Sequence, residues 1–139
     1  MSAAPRRTPA EAWRDMARGN ERFVAGEPNH PHQDAGRRAE LAGGQAPQVA
    51  LFGCSDSRLA AEIIFDLGLG DLFVVRNAGQ VISESVIASL EYAVAVLDTP
   101  LIVVLAHDAC GAVRAAIDLD DENARPLPPH IAGHIAGIR

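Results

Sequence analysis

Five residues in two short clusters carry the chemistry in this chain. Cys54, Asp56 and Arg58 stand at alternate positions in "CSDSR" (54–58), and His107 and Cys110 in "HDAC" (107–110). Each cluster follows an apolar run, "VALF" (49–52) and "LIVVL" (101–105). Two thiolates and an imidazole form a soft Cys₂His donor set, the kind that holds zinc and leaves a fourth position open. Asp56 can serve as that fourth ligand, or it can pair with Arg58 instead. Two other readings stay open: a structural zinc site, and a bland arrangement with Cys54 buried, a surface Asp56–Arg58 pair and a core or solvated His107.

These clusters can meet only if the elements before them lie side by side. The runs 49–52, 72–75 and 101–105 show no polar alternation, which predicts strands buried on both faces of a parallel sheet. The stretches 59–67 and 84–97 between them have helical patterning, and Pro100 stops the second. The fold class is therefore α/β, a parallel sheet with strands at about 48–53, 71–75 and 101–106, flanked by helices. Right-handed crossovers are the expected connection. In such a sheet, loops at the carboxyl ends of neighbouring strands form the ligand crevice.

The chain of 139 residues suits one domain. Thr8 as cap and Pro9 at the first position open an amphipathic arm over 9–25, with Trp13, Met16, Ala17, Phe23 and Val24 at helical spacing. Residues 26–36 read as a loop, and a short helix is expected around 37–42. The core spans 46–118, with a further helix after Cys110, and the tail 119–139 is weakly patterned. A net charge of −6 with no basic stripe argues against nucleic acid. No apolar run approaches a membrane span, and residues 1–13 lack the apolar segment of a signal peptide. Two cysteines 56 positions apart can form one disulfide, but in a chain of cytosolic type they more often mean metal or catalysis.

The two clusters together, with "EIIFDLGLGDLFVVRNAG" (62–79) and "SLEYAVAVLDTPLIVVLAHDACGAV" (89–113), resemble the β-class carbonic anhydrases of bacteria. The resemblance covers roughly residues 9–118. It implies reversible hydration of carbon dioxide to bicarbonate and a proton by zinc-bound hydroxide. One Zn²⁺ per chain would be held by Cys54, His107 and Cys110. Asp56 would either close the site as fourth ligand or be held off the metal by Arg58. Gln45, Phe73, Ala78 and Tyr92 match substrate-contacting positions at a two-fold interface, so a homodimer or dimer of dimers is implied, acting in the cytoplasm. His30, His32, His130 and His134 can shuttle protons, though solvated loop positions suit them as well. Ala106 stands where the family has glycine, and Asp108 where small hydroxyl residues are common. The chain also lacks the family's C-terminal strand and helices, which leaves the third strand with an open edge. Two other functions fit the same motifs: a truncated, zinc-binding but inactive homologue, and a hydrolase of carbonyl sulfide or carbon disulfide.

Overall fold

Residues 6–138 of the computed structural model are described here; the part of the signal-peptide reading that falls on 1–5 lies outside them. The first helix, α1 (Pro9–Ala25), begins with a complete capping box. The Thr8 hydroxyl accepts from the Glu11 N–H at 3.2 Å, and the Glu11 carboxylate accepts from the Thr8 N–H at 2.7 Å. Gly26 ends the helix in the left-handed region. The stripe expected on α1 divides. Ala12, Met16 and Gly19 are buried, whereas Trp13, Phe23 and Val24 are exposed. Gly19 lies so close to the Phe65 carbonyl that any Cβ would clash with backbone, and this lets α1 approach the strand-joining segment.

A short α2 (Ala35–Glu40) is capped by Asp34 and leads into β1 (Val49–Cys54). The chain continues through α3 (Ala61–Ile64), β2 (Leu72–Asn77), α4 (Glu84–Ala95), β3 (Ile102–Leu105) and α5 (Gly111–Ile117). The three strands are parallel in the order β2-β1-β3, so β1 is central. All six β1 residues are buried, as its apolar run predicts. The core joins Val49 and Leu51 of β1 to Ala12 and Met16 of α1, Ala61 and Phe65 around α3, and Leu72 of β2. Burial of these side chains is the main stabilising term, at roughly 25 cal/mol per Å² of apolar surface.

Three expectations need correction. The helix expected over 59–67 is only Ala61–Ile64. It stops because Asp66 takes a positive φ of 45° and turns its carboxylate inward. There it accepts from Arg22 Nε at 2.6 Å and from the backbone N–H groups of Asn29 and His30, both at 2.9 Å. Strand β3 is not buried on both faces: Ile102 and Val104 are 44% and 63% exposed. The tail 119–139, read as weakly structured, contains α6 (Pro129–Ile135). Helix α6 buries Ile135 completely and packs on α5. Gly133 within it and Gly137 just after it weaken the helical signal in the sequence. Among the described residues no helix is long and apolar enough to cross a membrane.

Asp66 ties α1, the 26–34 loop and α3 into one unit. Burial pushes its carboxyl up, but the Asn29 N–H, the Arg22 guanidinium and the His30 N–H outweigh burial and hold it below the ordinary 3.8. Asp66→Ala would leave three donors unsatisfied and should destabilise the fold by about 3 kcal/mol in urea titration. The unfolded chain takes up this proton first. Asp66 therefore stabilises the fold above about pH 4 and loses that contribution as pH falls further. A stability gap between wild type and variant that stays constant from neutral pH into strong acid would contradict this role.

Candidate metal centre

Cys54 is the last residue of β1, and His107 lies two residues beyond the end of β3. Because Gly53 pairs with Leu105, the loops after these strands begin side by side. Ala109 at φ 53° turns the second loop, and Cys110 follows as the N-cap of α5. The ligand atoms of Cys54, His107 and Cys110 all lie within 4.8 Å of one another. The two sulfurs are 3.9 Å apart, and both cysteines are free and buried.

The donor set fits a soft dication. His107 Nδ1 lies 2.8 Å from the Asp108 carbonyl oxygen, to which its N–H donates. That bond fixes the tautomer and leaves the Nε2 lone pair free, as metal-bound histidines require. Nε2 is buried and has no hydrogen-bond partner, an orphaned acceptor that a metal would satisfy. Burial pushes the Cys54 thiol up. The Gly79 N–H at 3.3 Å, the His107 ring, the Asp56 N–H and the Cys110 thiol together bring it down from 9.0 to about 7. The same neighbour, Cys54, raises His107 above its ordinary 6.5. Without metal these shifts favour a Cys54 thiolate beside a protonated His107, and a metal bound there would displace the imidazolium proton.

Asp56 does not join the three converging ligands. Arg58 holds it with a fork, Nε to Oδ1 at 2.9 Å and Nη2 to Oδ2 at 2.7 Å, and the Arg58 backbone N–H adds a third bond at 3.0 Å. The Arg58 guanidinium and N–H hold the Asp56 carboxyl far below the usual range, so it is ionised at any working pH. Of the two alternatives left open by spacing, the structure displays the Asp56–Arg58 pair.

The expected substrate residues are spread out. Ala78 follows β2 directly and adjoins Gly79, whose N–H reaches Cys54. Phe73 pairs with Ala50, about 13 Å back along the strand from Cys54. Its ring meets Tyr92 of α4 with centroids 6.0 Å apart, and Tyr92 is 45% exposed. Gln45 is exposed and precedes the opposite end of β1. Of the histidines, His32 bonds the buried Asp71 at 2.8 Å, His30 and His130 are exposed, and His134 Nε2 meets the Ala78 carbonyl at 2.8 Å.

Sequence reasoning gave no role to Arg76, Asn77 or Gly79. Arg76 bonds the carbonyls of Cys54 and Asp56. The Asn77 side chain closes the 78–81 turn by bonding both polar backbone groups of Val81 at 2.7 Å. Gly79, at φ 83°, leaves no room for a Cβ beside Ala112 and Ile138. The signal available was polar Arg76 and Asn77 at the end of an otherwise apolar strand.

The carbonic anhydrase family model matches residues 49–139. The chain is 58% identical over 122 residues to carbonic anhydrase 2 of Mycobacterium tuberculosis, covering 88% of this chain and 59% of that protein. It is 57% identical over the same length to a carbonic anhydrase of Mycolicibacterium smegmatis, with the same coverage. The chain thus spans 59% of the length of these relatives. Among solved structures it superposes on a tetrameric β-carbonic anhydrase of Sordaria macrospora with a TM-score of 0.65 at 30% identity, over 89% of this chain and 60% of that one. A Coccomyxa β-carbonic anhydrase in complex with acetazolamide gives 0.63 at 27% identity, over 94% and 54%. With the family model covering most of its length and the paired cysteine–histidine clusters set at adjoining strand ends, this chain belongs to the carbonic anhydrase family, in its β class.

Proposed function

We propose that the chain catalyses the reversible hydration of carbon dioxide to bicarbonate and a proton at one zinc ion held by Cys54, His107 and Cys110. The observation that carries this reading is the convergence of three soft donors beside a carboxylate already tied to an arginine. Zinc bound there supplies Lewis acidity, which makes a water nucleophilic near neutral pH. Asp56 keeps lone pairs beyond those used by Arg58, and one accepts the O–H of the attacking water, aiming its oxygen lone pair at the carbon. The new C–O bond forms as one C=O electron pair moves onto oxygen, and the proton lost by the water passes to buffer. Arg58 keeps Asp56 ionised and away from the ligand cluster.

A substrate with neither charge nor dipole calls for an apolar wall. Phe73 and Tyr92 offer one, with Ala78 beside the cluster and Gln45 as a polar contact. Gln45, which precedes β1, and Phe73 of β2, level with Ala50, stand far from Cys54, so we assign them to the site of a second copy across a two-fold interface. The exposed Trp13, Phe23, Ile102 and Val104 give such a dimer apolar surface to bury. Two free thiols used as ligands suit a reducing compartment, which favours the cytoplasm.

Stopped-flow hydration of carbon dioxide by the zinc-loaded chain is expected to give a rate proportional to protein. Zinc at full occupancy with no rate above buffer would contradict the reading. Cys54→Ser should lose most of its zinc by metal analysis, because serine is a poor ligand at neutral pH. Full retention would remove Cys54 from the ligand set. Arg58→Ala should keep zinc yet lose about 100-fold in kcat, as expected when a group orienting the reacting water is freed. A rate near wild type would remove the Asp56–Arg58 pair from the mechanism. Light scattering at micromolar concentration should show a dimer or larger, and an active monomer would refute the shared site.

A further inference from the structure

We infer that Arg76 is a positioning residue for this reaction, acting through the backbone of the 54–58 turn. The inference rests on the carbon dioxide reading above for its effect on rate, but the clamp itself is visible independently. Arg76 is the fifth residue of β2, directly opposite Gly53. Its half-buried side chain crosses to the loop after β1. Nε donates to the Cys54 carbonyl at 2.8 Å, and Nη2 donates to the Asp56 carbonyl at 2.7 Å. Between those two anchors, the Ser55 N–H donates to the Asn77 carbonyl at 2.8 Å. Three consecutive residues, one of them a candidate ligand and one the proposed acceptor, are thereby fastened to the end of β2. The Asp56 carbonyl also accepts from the Leu59 N–H at 3.1 Å, which closes the turn that carries Arg58.

Among the described residues no carboxylate is paired with Arg76. A half-buried guanidinium normally finds an acid, since burying its charge is costly. Here its planar fork bridges two carbonyls two residues apart, a geometry that one ammonium cannot reproduce. Fixing the Asp56 backbone favours the orientation in which both carboxylate oxygens face Arg58. Arg76 supplies that constraint from the neighbouring strand, and its two bonds go to backbone carbonyls rather than to a candidate ligand atom.

The test compares wild type, Arg76→Met and Arg76→Lys as full chains. In the zinc-loaded proteins, Arg76→Met is expected to keep about one zinc per chain and to lose about 10- to 100-fold in kcat, with the carbon dioxide KM changed by no more than about twofold. In the metal-free proteins, NMR hydrogen exchange at the Ser55 and Leu59 amides should accelerate about tenfold in Arg76→Met, while amides in the centre of β1 do not change. Arg76→Lys should resemble Arg76→Met in both readouts; should Arg76→Met fail to fold, Arg76→Lys carries the test. Unchanged exchange at both amides, wild-type kcat with the clamp removed, or full recovery by lysine each overturns the inference. An inactive wild type would sink the carbon dioxide reading instead. Exchange would then decide the clamp alone, acceleration supporting it and no change overturning it.

Discussion

Parallel pairing of β1 with β3 is the constraint on which the site depends. Residues 54 and 107 are far apart in sequence, and nothing local brings them together. The pairing of Gly53 with Leu105 sets the two strand ends level, so the loops that follow start as neighbours. A shift of this register by one residue would move every side chain of β3 to the other face and take His107 out of reach. Burial of the whole of β1, whose Val49 and Leu51 share a core with Ala12 and Met16 of α1 and which also packs against α4, holds that register.

From that pairing the electrostatics follow. The buried thiol of Cys54 would resist ionisation on its own. It is offset by the Gly79 N–H, which the Asn77 turn and the fit of Gly79 against Ala112 and Ile138 aim at the sulfur. Helix α6 takes part in this arrangement, since Ile138 lies just beyond it and His134 bonds the Ala78 carbonyl. Asp56 is treated in the opposite way: it stays near solvent and is kept ionised by Arg58. The site therefore separates three groups that can bind a metal from a carboxylate tied to Arg58.

Much of this was legible in the sequence because the signals were local and redundant. The cap formed by Thr8 and Pro9 pointed to α1, and the uninterrupted apolar runs pointed to three parallel strands, although the burial they implied on both faces of β3 is not found. Thiol and imidazole at two strand ends pointed to a donor set and left the role of Asp56 open. What was not legible depended on tertiary partners. The length of α3 is set by Asp66, whose carboxylate answers donors from α1 and the loop after it. Helix α6 carries glycines that hide it from propensity, and it forms because Ile135 is buried against the rest of the fold. Arg76 and Asn77 looked like polar residues ending a strand; only the pairing of Cys54 with Asn77 shows that they hold the neighbouring loop. The positions Gln45, Phe73 and Tyr92 came from family resemblance alone, and neither Gln45 nor Phe73 lies near Cys54 within the chain.

The most direct measurement of the central claim is X-ray absorption at the zinc edge of the zinc-loaded chain. The account predicts two sulfur neighbours near 2.3 Å and nitrogen or oxygen neighbours at about 2.0–2.1 Å, as a Cys₂His centre requires. Sulfur-only coordination, or a shell with no sulfur, would contradict it.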